Sequence, residues 1–124
     1  MKLNLDSIIL FVHDVDKLKS FYTEFFKLEI MEASHGWILL KAGDCKIGLH
    51  KIGEQYGGET ERTGKPGSNC KIVFQIDEDI HKFREQLLQQ RVSVKEIKTF
   101  DNYDYWLCDG EDPEGNVFQL KQKK

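Results

Sequence analysis

The chain repeats its own plan. An apolar, β-rich stretch over Ser7–His13 leads into an amphipathic helix and then three more strand-like stretches, Leu28–Ala33, Trp37–Lys41 and Cys45–Lys51. The same order restarts at Lys71–Asp77. No other feature limits the possible folds as strongly. A strand-helix-strand-strand-strand unit of roughly 50 residues is too small to bury a good core alone. Two copies side by side can form one curved sheet with a hollow for a ligand. The expected fold class is therefore α+β, with two βαβββ modules forming a concave sheet cup.

Residue chemistry supports each element. Ser7–His13 reads as a strand buried on both faces. Asp14 or Asp16 can cap the helix that follows by accepting unpaired backbone N–H groups. Leu18, Phe21, Tyr22, Phe25 and Phe26 recur at three- and four-residue spacing and make one apolar face. Ala42-Gly43-Asp44 reads as a turn. In the second half, Glu78 and Asp79 place negative charge at a helix start, and Ile80, Phe83, Leu87 and Leu88 mark an apolar helix face. Arg91–Ile97, Tyr103–Cys108 and Val117–Leu120 read as strands, with Asp112–Asn116 a turn by composition. Leu10-Phe11-Val12 matches Phe74-Gln75-Ile76. Leu18, Phe21 and Phe25 match Ile80, Phe83 and Leu87 once the second turn is shortened by two residues. Residues 53–69 hold five glycines and one proline among polar residues and read as a loop. The expected organisation is a single domain over 1–124, with module one at about 4–52 and module two at about 70–121.

Composition narrows the function classes. With 124 residues, 40% hydrophobic and 31% charged, the chain has an ordinary soluble balance. The longest apolar runs, Ile8–Val12 and Trp37–Leu40, fall far short of the roughly 20 residues a membrane span needs. Met1–Asp6 lacks the apolar core of a signal peptide, so a cytoplasmic location is expected and no membrane partner. The net charge of −3 and scattered basic residues argue against nucleic acid as a partner. Cys45, Cys70 and Cys108 are odd in number, widely spaced and without a CxxC pair. Reduced, buried thiols are the expectation for all three, and structural zinc is not expected. No GxGxxG or Walker-type run supports hydride transfer or phosphate-loop chemistry.

Two motifs carry a family resemblance. Val12-His13-Asp14-Val15-Asp16-Lys17-Leu18-Lys19-Ser20-Phe21-Tyr22 opens the first helix, and Asp112-Pro113-Glu114-Gly115-Asn116-Val117-Phe118-Gln119-Leu120 turns into the last strand. On a duplicated βαβββ plan, the chain resembles the glyoxalase/bleomycin-resistance/extradiol dioxygenase group, the vicinal oxygen chelate superfamily, over about residues 4–121. That group spans glyoxalase I, methylmalonyl-CoA epimerase, extradiol dioxygenases, fosfomycin-resistance transferases and metal-free drug-sequestering proteins. Fold does not choose among them. The resemblance implies a metal held at four positions, which fall here on Ser7, Gly48, Lys71 and Gln119. Ser7 is a poor ligand, Gly48 has no side chain, protonated Lys71 has no lone pair, and Gln119 offers one neutral oxygen. The neighbours Ile8, Ile72 and Phe118 cannot substitute. No metal and no other cofactor are expected.

Period-2 alternation selects the side chains that would line the cup. The expected ligand-binding set is Ile9, Phe11, Trp37, Leu39, Lys46, His50, Lys71, Val73, Gln75 and Gln119. Trp37 reads as core or as a stacking surface for a planar ligand, and Lys71 as a side chain that snorkels to the cup mouth or as a fixed positive charge in place of the metal. His13 shares the parity but reads as a strand-end residue, while His35 and His81 fall in a turn and on a helix surface. Tyr103, Tyr105 and Trp106 fall near the rim, with their register open. No catalytic residue is assigned. The expected function is binding of a small amphipathic or aromatic molecule without the usual metal. The alternative is a glyoxalase-type lyase or isomerase using a displaced metal, or Lys71 or His50 as acid–base group. The resemblance further implies a homodimer.

Overall fold

Asp14 decides where the first helix begins. In the computed structural model, which describes residues 1–2, 4–53 and 70–124, its backbone is extended (φ −120°) and its Oδ1 accepts the Lys17 N–H at 3.0 Å. Asp16 sits inside the first turn, where its charge suits the helix dipole. Helix α1 covers Val15–Phe26 and buries Val15, Leu18, Phe21 and Tyr22; Phe25 and Phe26 are half-buried. It ends on Lys27 in the left-handed region (φ 57°), a place glycine usually takes. The sequence therefore carries no glycine stop signal there.

The chain falls into two compact units, Met1–Thr63 and Gly64–Lys124. In the first, β1 (Ser7–Val12), β2 (Glu29–Ser34), β3 (Trp37–Ala42) and β4 (Cys45–Lys51) form one sheet in the order β1-β4-β3-β2. β1 runs parallel to β4, because α1 returns the chain to β2 in the direction of β1 and two antiparallel hairpins then reverse it twice, leaving β3 antiparallel to both its neighbours. Leu10, Val12, Ile38, Leu40, Ile47 and Leu49 are buried on the face that packs against α1. The expectation that β1 is buried on both faces is corrected. Ile9 is 45% and Phe11 48% exposed, because α1 covers one side of the sheet and β1 lies at its edge. β2, the other edge, is exposed throughout and slips register between Ile30 and Glu32. Such a bulge makes a poor template for a further strand.

The second unit repeats the plan with β5 (Lys71–Gln75), α2 (Ile80–Gln89), β6 (Ser93–Val94), β7 (Tyr105–Glu111) and β8 (Val117–Lys123), ordered β5-β8-β7-β6. Asp79 caps α2 by accepting the His81 N–H at 2.9 Å. Ile80, Leu87, Ile72, Phe118, Leu120 and Cys108 form its core. Even the registers coincide: Ile9↔Gly48↔Leu39 in the first sheet becomes Val73↔Gln119↔Asp109 in the second. The α+β class and the doubled βαβββ order are as expected.

Three local expectations change. The strand expected over 91–97 shrinks to Ser93–Val94. Four residues separate Val94 from Lys98 while three separate their β7 partners Gly110 and Leu107, and the extra residue breaks the ladder. β7 lies further along the chain than Tyr103–Cys108, and so takes in Asp109. Of the cysteines only Cys108 is buried, with burial pushing its thiol up; Cys45 is half-buried at the start of β4 and Cys70 is exposed just before β5. The segment read as a loop at 53–69 lies, apart from Gly53, outside the described residues. Among the described residues no helix is long and apolar enough to cross a membrane.

Candidate functional site

On the face of the first sheet turned away from α1, three cross-strand rows follow from the register. They are Ser7–Lys46–Lys41, Ile9–Gly48–Leu39 and Phe11–His50–Trp37. Six of the sequence-selected residues, Ile9, Phe11, Trp37, Leu39, Lys46 and His50, are thus brought together. The indole of Trp37 is fixed at both edges. Its Nε1 donates to Glu32 Oε1 at 2.9 Å, and its benzo edge lies across Gly48. A Cβ added at Gly48 would fall onto Trp37 Cη2, 2.8 Å from Cζ3 and 3.3 Å from Ile9 Cγ1. Glycine is required here because an aromatic ring occupies the space of a side chain.

His50 sits between two rings, 5.4 Å from Phe11 and 6.0 Å from Trp37 between centroids. Its Nδ1 is 2.8 Å from the Lys51 carbonyl oxygen. A carbonyl can only accept, so in the neutral imidazole Nδ1 carries the proton and Nε2 the lone pair. At the far end of the face, Lys46 Nζ meets Asp6 Oδ1 at 2.7 Å. That hydrogen bond lowers the Asp6 carboxyl and raises the Lys46 ammonium from their ordinary ranges.

The second sheet has a different character. Lys71, Val73, Gln75 and Gln119 share the face turned away from its core, as expected. Sequence reading missed Asp109, which organises them. Its Oδ2 accepts from Lys71 Nζ at 2.9 Å and its Oδ1 from Gln119 Nε2 at 2.9 Å. Lys71 is therefore half of an ion pair, which tempers its role as a lone positive charge. Burial alone would raise the Asp109 carboxyl; the hydrogen bonds from Lys71 and Gln119 outweigh it and hold the carboxyl below its usual range. The signal available in sequence was the match of Asp109 to Leu39, visible only once both registers are known. Of the rim aromatics, Tyr105 shares the parity of Asp109 and lies under Lys121 Nζ at 4.3 Å, with Tyr103 beside it at 5.6 Å. Trp106 has the opposite parity and packs against His81 at 5.3 Å. His13 lies just past β1, outside the three rows.

A lowered carboxyl pKa stabilises the fold above the unfolded-state value, about 3.9 for Asp, and that contribution is lost as pH falls through the folded-state value. Lys71→Ala is expected to move the Asp109 titration upward, since burial is then opposed only by the Gln119 hydrogen bond and the charge of Lys98. A carbon-detected NMR titration of the Asp109 carboxyl measures it; an unmoved midpoint would mean that the ion pair does not form in solution.

The fold and these faces define a class. The model of the Glyoxalase/Bleomycin resistance protein/Dioxygenase superfamily matches residues 4–120. The chain belongs to this superfamily. Among solved structures it is similar to an integron cassette protein from the mobile metagenome of V. cholerae (22% identity, 100% of this chain and 98% of that one, TM-score 0.72). It is also similar to a mutant of the fosfomycin resistance protein FosX from Listeria monocytogenes, complexed with Mn(II) and dihydroxypropylphosphonic acid (19%, 97% and 90%, TM-score 0.78). Lactoylglutathione lyase from Agrobacterium tumefaciens is a third (16%, 96% and 92%, TM-score 0.70). At these identities the likeness speaks for the fold.

The residues at the four family positions do not fit a metal. Ser7 is a neutral hydroxyl, and the side-chain space of Gly48 is filled by the Trp37 ring. Lys71 holds a cationic ammonium against Asp109, and Gln119 turns its amide N–H₂ toward the same carboxylate. Among the described residues no group of three His, Cys, Asp or Glu side chains converges as metal ligands would.

Proposed function

We propose that this protein binds a small amphipathic or aromatic molecule without the family's usual metal. The observation that carries the reading is the Trp37 indole lying across Gly48, a flat aromatic surface where a metal-holding member needs a donor side chain. Ile9, Phe11 and Leu39 extend that surface with apolar area, and Lys46 and His50 give it polar points. The second sheet carries its own set, Lys71, Val73, Gln75 and Gln119, on the face turned away from its core, with Asp109 holding Lys71 and Gln119. Stacking on a fixed indole suits a planar ligand, whose ring contact adds about 1 kcal/mol beyond area burial.

The test is a paired measurement. Protein purified without chelator and supplied with Ni, Mn, Fe and Zn should retain far less than one equivalent of metal per chain. Planar aromatic probes should raise its melting temperature, and Trp37→Ala should weaken their binding about 10-fold. One tightly held equivalent of metal, or unchanged affinity in a folded Trp37→Ala, would overturn the proposal. A second reading, a glyoxalase-type lyase or isomerase with a displaced metal or with Lys71 or His50 as acid–base group, draws on the unprotonated Nε2 of His50. Turnover in a glyoxalase assay that disappears in His50→Phe would favour it. We further propose a cytoplasmic homodimer, in keeping with a family whose members are often dimeric; light scattering during size-exclusion chromatography measures the mass.

A further inference from the structure

We infer that His50 selects, among planar ligands, those that carry a hydrogen-bond donor on the ring edge, such as a phenolic O–H or an indole-type N–H. The inference rests on the proposed binding role and names the ligand class for that same face. Three observations carry it. First, Nδ1 is committed to the Lys51 carbonyl at 2.8 Å, so the neutral ring offers the ligand an acceptor and no donor. Second, among the described residues nothing else reaches Nε2 within hydrogen-bond distance. Third, Phe11 and Trp37 flank the imidazole at centroid distances of 5.4 and 6.0 Å, inside the range in which aromatic groups stack or meet edge to face. A ring laid along this row brings its polar edge to Nε2.

The neighbouring row is apolar at Ile9, Gly48 and Leu39 and ends on Glu32, whose Oε1 accepts from Trp37 Nε1 at 2.9 Å. A donor carried over the imidazole meets Nε2, and comparison with His50→Phe separates that contact from one to the Glu32 carboxylate. A ligand without a donor instead covers Nε2 and leaves the lone pair unsatisfied, and sites built this way reject such analogues more strongly than a missing methyl group would. A ligand that presents only acceptors gains nothing from the neutral imidazole.

The experiment compares naphthol with its methyl ether, which keeps the ring and removes the donor. Calorimetry at one fixed, mildly alkaline pH measures both affinities. Naphthol is expected to bind about 10-fold more tightly than the ether, the size of one net hydrogen bond with its unsatisfied partner avoided. In His50→Phe, which keeps an aromatic ring in the row, the two probes should converge to within about 2-fold, because the bond to naphthol and the unsatisfied lone pair under the ether are removed together. Nitrogen NMR of the His50 ring adds a direct signature: Nδ1 should remain protonated and the Nε2 resonance should move only with naphthol. Equal affinities in the natural protein, or a preference that survives in His50→Phe, would overturn the inference. If both probes bind equally and Trp37→Ala weakens both, the binding role stands and donor selection falls. If neither binds, both fall.

Discussion

Asp112→Ala is expected to lower the unfolding free energy by about 3 kcal/mol, the cost of removing a buried charged acceptor from several donors at once. Asp112 is only 4% exposed, and among the described residues it is the one buried charged side chain. Its Oδ1 accepts from the backbone N–H of Glu114 and of Asn116, both at 2.9 Å, and its Oδ2 accepts from the Asn116 side-chain amide at 2.9 Å. The turn is closed further by the Gly115 N–H on the Asp112 carbonyl at 2.9 Å, with Gly115 at φ 83°, where a side chain would be strained. Asp112→Asn keeps one acceptor oxygen and should cost less than the alanine change. Asn116→Ala leaves the two backbone donors satisfied and should cost about 1 kcal/mol. Urea unfolding of the three variants gives the ordering, and an alanine variant as stable as its parent would refute the account.

The consequence reaches the candidate site. This turn joins β7 to β8 and sets the register that places Asp109 opposite Gln119. The Asp-Pro-Glu-Gly-Asn stretch, legible in the sequence as a turn, thus aligns the carboxylate that grips Lys71. Partial loosening of the turn should release that grip before the core fails, because Phe118 and Leu120 are fully buried beneath α2. The Asp109 titration and the unfolding curve together separate the two events.

The second large effect concerns Gly48. Gly48→Ala should destabilise the protein by about 2 kcal/mol, the usual cost of forcing an extra methyl into a packed site. The obstructing atoms belong to an indole whose Nε1 is held by Glu32 at 2.9 Å, so the ring does not swing aside without losing that bond. The cost should fall sharply in a Trp37→Ala background, where the two Trp37 atoms that lie within 3 Å of the added methyl are gone. There it can even gain a few tenths of a kcal/mol, since glycine is a poor strand residue. A double-mutant cycle by urea unfolding measures the coupling. Additive effects would show that the ring does not rest on Gly48 in solution, and would remove the main support for the metal-free reading.

The sequence alone determined the order of the elements and most side-chain parities, since alternation and helical spacing are local properties. Asp14 as one of two candidate caps, Asp79 as negative charge at the second helix start, most of each helix's buried face, and the shared parity of Ile9 with Phe11 or Lys71 with Val73 were legible, whereas Leu88, expected on the apolar face of α2, is 39% exposed. What it left open was pairing across distance. That β1 is an edge strand with one face exposed depends on where α1 packs, and sequence cannot state that. Asp109 went unseen because its partners lie 38 and 10 residues away, joined only by strand register. Gly48 showed only the absence of a metal ligand. The tertiary structure added why a side chain is excluded there: the ring of Trp37, from the neighbouring strand, fills the space. Local chemistry fixes which way each side chain points, whereas long-range packing decides what it meets.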